Sequence, residues 1–107
     1  MSATLDRVRR CVAAGAVQLT RHGSKELDND GLALDEVLAS VPGAEIVEDY
    51  AEAGRGPSVL ALHTLRDGAP VHVVWAFFKD TERPAVLVTA YRPEPKLWSP
   101  DFMRRSS

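Results

Sequence analysis

One cysteine, Cys11, stands in a chain of 107 residues, so no disulfide can close within it. Small secreted domains with too little core are stapled by several such bridges. This chain has no such framework, and its length lets it bury a core of its own, so it reads as one domain spanning residues 1–107. No apolar run approaches the roughly 20 residues of a membrane span. The stretch from Cys11 to Leu19, which follows Arg7, Arg9 and Arg10, is too short and mixed for the apolar centre of a secretory leader. A cytoplasmic protein without membrane contact is therefore expected. Histidine is scarce as well. His22, His63 and His72 are the only imidazoles, no two have the i, i+4 spacing of a helical zinc site, and the carboxylates lack ligand spacing, so no metal is expected. A glycine-rich phosphate loop and a dinucleotide fingerprint are both missing, since Gly54-Arg55-Gly56-Pro57 reads as a turn, and no cofactor is expected. Ser24 and Ser58 lie outside any nucleophile-elbow pattern.

What is present is a folding composition, 45% hydrophobic and 26% charged, which argues against disorder everywhere but the last few residues. The net charge of −2 argues against a general nucleic-acid binder, but its distribution is uneven. Residues 1–25 carry a net +4, residues 26–57 a net −8, and residues 83–107 a net +3. If the fold brings the two basic ends together, they form one positive face on which a phosphate chain could sit.

The hydrophobic pattern changes period once. Leu5, Val8, Cys11 and Val12 share one face of a helix over 4–14, with Thr4 placed to cap it and Gly15 to stop it. Cys11 on that face reads as a core residue. Val17 to Thr20 alternates as a short strand. A weakly patterned helix over 22–30 ends at Gly31, and a second over 34–41, with Asp35 and Glu36 in its first turn, ends at Pro42-Gly43. From residue 44 the alternation is that of strands: 44–50, 58–65, 69–78 and 84–91. Ala51 to Pro57 forms a loop, Arg66-Asp67-Gly68 and Lys79 to Arg83 the later turns. The strand over 69–78 is apolar on both sides and is expected to be central and covered on both faces. The fold class is α+β, with N-terminal helices packed on a four-stranded antiparallel β-meander, and Phe102 docks the tail.

The chemistry left open is metal-free acid–base work. RNA supplies its own nucleophile, the 2′-hydroxyl, so a protein that cleaves it needs only an acid, a base and cations for the developing charge. His22, between Arg21 and Lys25, is either such a group or a helix-start residue. His72 in the apolar central strand is either a catalytic group or a satisfied buried imidazole. His63 reads as a strand-face residue without a role. Tyr91, beside Arg92, orients substrate or packs in the core. Trp98 stacks a base or covers the edge of the core. Arg104 and Arg105 are phosphate clamps or tail charges.

Leu19-Thr20-Arg21-His22-Gly23, Glu36-Val37, Ile46 to Tyr50, Gly56-Pro57-Ser58, Pro70 to Val74, and Val88-Thr89-Ala90-Tyr91-Arg92-Pro93 through Trp98 to Arg105 together resemble one family, the domain of unknown function 4258. The resemblance covers about residues 17–105 and is similar in kind to the RelE/ParE and BrnT toxins, which pack helices on a curved antiparallel sheet. It implies a toxin-like, metal-free endoribonuclease with His22, His72, Tyr91 and Arg104 at the family's polar positions. Arg21, Lys25, Arg92, Trp98 and Arg105 would hold RNA, and a cognate antitoxin would be the partner. The alternative is a non-catalytic protein-interaction module using the same sheet. The sequence departs from the family at Leu27-Asp28-Asn29-Asp30, where acids replace a usual arginine.

Overall fold

The structure is a computed structural model that describes residues 2–51 and 54–106. Its first helix, α1, runs over Ala3–Ala13, and its cap is Ser2, not Thr4: the Ser2 hydroxyl accepts from the Leu5 amide at 3.1 Å. Thr4 is already the second residue of the helix and is buried. The three-residue strand β1, Val17–Leu19, leads directly into α2, Arg21–Asn29, where the Thr20 hydroxyl accepts from the Gly23 amide at 2.8 Å and donates to the Val88 carbonyl at 2.9 Å. One side chain thus starts the helix and ties it to the last strand. Helix α3 covers Leu34–Ala39 and closes in a 3-10 turn over Val41–Gly43. Four strands follow: β2 Glu45–Tyr50, β3 Ser58–Thr64, β4 Pro70–Ala76 and β5 Ala85–Tyr91. The expected loop between β2 and β3 includes residues 52 and 53, which lie outside the described residues.

The sheet is five-stranded and mixed, where a four-stranded antiparallel one was expected. Its order is β1-β5-β4-β3-β2, and β1 joins the outer edge of β5 in parallel, Val17 opposite Ala85 and Leu19 opposite Leu87. Strands β2 to β5 pair antiparallel with their chain neighbours. The fifth strand is there because an edge strand has a row of N–H and C=O groups to satisfy. Around β1 the Ala85 amide donates to Ala16 O at 3.0 Å and the Thr20 amide to Leu87 O at 3.1 Å.

The two faces of the sheet differ. The inner face carries Val59, Ala61, Val71, Val73, Trp75 and Leu87 against the helices, with Leu5, Val8, Leu27 and Val37 completing the core. The outer face carries the alternate residues, among them Leu60, Leu62, His72, Val74, Ala76 and Tyr91. No helix covers it. The C-terminal segment crosses one end, pinned by buried Trp98 and by a small hairpin in which Trp98 bridges Arg105. Strand β4 is therefore central, yet fully covered outside only where the tail lies: His72 is sealed while Val74 and Ala76 are half-buried.

Candidate functional site

Residues 72 and 91 face each other across β4 and β5, which puts their side chains together on the outer face. Tyr91 Oη lies 3.2 Å from His72 Nδ1, and Phe102 O lies 2.8 Å from His72 Nε2. A carbonyl can only accept, so Nε2 carries the proton and donates, leaving Nδ1 to accept from the tyrosine hydroxyl. Trp98 meets the imidazole edge-on, with centroids 4.4 Å apart, and the Arg105 guanidinium sits over the indole at 5.0 Å. Burial holds the His72 pKa below the ordinary imidazole value; the Phe102 carbonyl works against that shift and Arg105 adds to it. Burial likewise pushes the Tyr91 phenol up. His72 is thus a neutral, fully satisfied group that fastens the tail to the sheet.

The second buried histidine lies on the inner face. Trp75 Nε1 donates to His63 Nε2 at 3.1 Å, which makes Nδ1 the protonated nitrogen. That N–H donates to Ser40 Oγ at 2.8 Å, and the Ser40 hydroxyl donates to Val37 O at 2.6 Å. The chain ties β4 and β3 to the end of α3. Burial pushes the His63 pKa down to about 4. The alternating pattern around His63 placed it on a strand face; nothing local in the sequence pairs it with Trp75 and Ser40.

Beyond the tail, the described residues leave the outer face partly open, with Val74, Ala76 and Val88 half-buried and Leu60 and Val86 buried. A groove of about 440 Å³ is lined mainly by Ser58, Val74, Ala76, Phe78, Val86 and Val88, with Thr20 and Arg55 at its borders. Phe78 is 52% exposed beside it. Among the lining residues the single charge is the Arg55 guanidinium.

The candidate residues divide accordingly. His72, Tyr91, Trp98 and Arg105 come together in the tail clamp. His22 is exposed in the first turn of α2, between exposed Arg21 and near exposed Lys25, and no described hydrogen bond joins it to that cluster. Arg104 is exposed in the tail, its amide accepted by Ser99 Oγ at 3.1 Å. Arg92 is held by the end of α2: its amide donates to the Asp30 carboxylate at 2.8 Å and its Nε to Asp30 O at 3.0 Å. The acid at position 30 therefore holds the end of β5. The basic ends meet only in part: Arg83 joins Arg7 and Arg10 beside α1, whereas the tail that carries Arg104 and Arg105 lies on the outer layer. Among the described residues, no three His, Cys, Asp or Glu side chains gather as a metal ion would require, and no helix is long and apolar enough to cross a membrane.

One family model, described as a domain of unknown function (DUF4258), matches residues 19–92, from the end of β1 to the residue after β5. Helix α1 and the tail with Trp98 and Phe102 lie outside the match. No curated protein matches the chain, and no solved structure does.

Proposed function

This chain belongs to the DUF4258 family, and we propose that it is a non-catalytic protein-interaction module whose docking surface is the open half of the outer sheet face. The observation that carries this reading is the groove itself, an apolar floor on a β-sheet that no helix or tail residue among the described residues covers. Exposed apolar surface of this kind marks a site of association. The occupant is a segment of a partner protein that presents apolar side chains to Val74, Ala76 and Val88 and a carboxylate to Arg55. His72 supports the same reading, since both its ring nitrogens are engaged and its proton is held by a backbone carbonyl.

A second reading, a metal-free endoribonuclease of the RelE and BrnT toxin type and fold, is favoured by one observation. His22 is exposed two residues after Thr20, a residue that borders the groove, with cations on both sides.

Two measurements separate the readings. Random peptides displayed on phage and selected on the wild-type protein should converge on apolar and acidic sequences, and Ala76→Arg should abolish their capture while leaving the circular dichroism spectrum unchanged. Failure to select any groove-dependent peptide defeats the docking reading. The protein is also incubated with mixed RNA and with translating ribosomes, with and without EDTA. Cleavage indifferent to EDTA and lowered about 10²-fold or more by His22→Ala or Arg104→Ala would establish the ribonuclease instead.

A further inference from the structure

A second cavity, of about 290 Å³, lies where α1 meets the turn between β4 and β5. It shares no lining residue with the outer-face groove. Three arginines line it: Arg7 and Arg10, one helical turn apart on α1, and Arg83 from the turn. Ala14, Ala16 and Cys11 form its apolar wall, and Glu82 is the one acid.

The three arginines face one carboxylate, Glu82, which pairs loosely with Arg7. Arg7 is fixed: its guanidinium lies 4.1 Å over the Phe77 ring, and one terminal nitrogen donates to Thr81 O at 2.6 Å. Its Nε is buried and has no hydrogen-bond partner. The nearest carboxylate, Glu82, stands 3.9 Å from that Nε, beyond hydrogen-bond reach, and its side chain is 90% exposed. Arg10 and Arg83 are exposed and form no ion pair among the described residues. A buried, charged donor without an acceptor is costly to leave so. Two further arginines lining the same hollow make an anion the natural complement, because the arginine fork matches phosphate oxygens in pairs.

The geometry points to a binding site for a phosphate monoester, with the fixed Arg7 side chain at its inner side and the exposed Arg10 and Arg83 closing on the outer oxygens. A monoester dianion meets the excess of cations better than a diester, which carries one charge and two blocked oxygens. The hollow holds a phosphoryl group and a few attached atoms, so the ligand is a small phosphorylated molecule and not a nucleic-acid backbone.

Arginine side-chain N–H resonances of the full chain report on this directly. Inorganic phosphate, adenosine 5′-monophosphate and dimethyl phosphate are titrated at constant ionic strength, with chloride as the control. Phosphate and the monophosphate should give saturable shifts at Arg7, Arg10 and Arg83 and at the backbone of Cys11 and Glu82. Dimethyl phosphate should bind at least tenfold more weakly. Arg83→Ala and Arg10→Ala should each weaken phosphate at least tenfold, and Glu82→Gln should tighten it by removing the competing carboxylate. Affinity should rise as pH passes about 6, where the second proton leaves a monoester. Shifts that never saturate, that chloride reproduces, or that dimethyl phosphate matches would overturn the proposal. A binding curve insensitive to both arginine substitutions would do the same.

Discussion

His63 and His72 sit in paired strands, fully buried and fully hydrogen-bonded, yet on opposite faces of one sheet. His63 is neutral because the Trp75 indole N–H can only donate to its Nε2, and burial favours the neutral form of His72. For His63 the consequence is a pH dependence of stability. The unfolded chain takes up a proton near pH 6.5, whereas the native His63 does so only near 4. Between these values the unfolded state binds more protons, so stability is complete above 6.5 and falls as pH drops towards 4, by about 3 kcal/mol. His72 shifts in the same direction and adds to the loss. Urea midpoints should therefore fall steadily from pH 6.5 to 5, and His63→Phe should flatten that slope. An unchanged slope in the variant would show that His63 is not the group responsible. Trp75, wholly buried and the donor to His63, carries the largest single packing contribution in β4. Trp75→Ala should cost about 3–5 kcal/mol; a midpoint shift worth less than about 1 kcal/mol would contradict its place in the core.

Two glycines decide how closely elements approach one another. Gly23 lies in the first turn of α2, where an added Cβ would stand 2.7 Å from Leu87 O, so the helix reaches β5 only because that atom is missing. Gly56 has φ +119 and its Cβ would collide with Phe77 O, in the turn where the Phe77 amide donates to Pro57 O at 3.0 Å. Gly23→Ala should destabilise by about 1–3 kcal/mol through forced backbone displacement, and Gly56→Ala by more, since a strained φ is added to the clash. Thermal melts of the two variants beside Gly43→Ala, where nothing lies within 4 Å of the added carbon, test this ranking. Equal melts for all three would refute it. The sequence marked helices and strands well because their signals are local: the apolar stripe of α1, the Pro42-Gly43 stop, the Asp67-Gly68 turn. It misplaced the cap of α1 because Ser2 and Thr4 are chemically alike and only the helix's true start distinguishes them. The parallel pairing of β1 with β5 joins residues some 68 positions apart, as in the Thr20 to Val88 bond, and no local pattern encodes it.

For the molecule as a whole, the C-terminal segment divides the outer sheet face into a sealed half and an open half. His72 is the fastener, and His72→Ala strands the Tyr91 hydroxyl and the Phe102 carbonyl, at a cost of about 1–3 kcal/mol. The freed tail should become sensitive to trypsin at Lys96, Arg104 and Arg105 under conditions where the wild-type chain resists. Equal cleavage rates would mean that the tail is held by Trp98 alone. The candidate site was legible in residue types only. The sequence identified His72, Tyr91, Trp98 and the two terminal arginines as polar or aromatic groups in need of an explanation, and Phe102 as the docking residue of the tail. By itself it determined an α+β chain able to bury one core, because composition and periodicity are sums of short-range preferences that each segment carries alone. Tertiary structure alone decided which histidine nitrogen holds a proton, which face of the sheet stays open, and that α1 and the tail lie on opposite layers. Those outcomes depend on which atoms meet across dozens of residues, and hydrogen-bond partners and burial exist only once the chain has closed on itself.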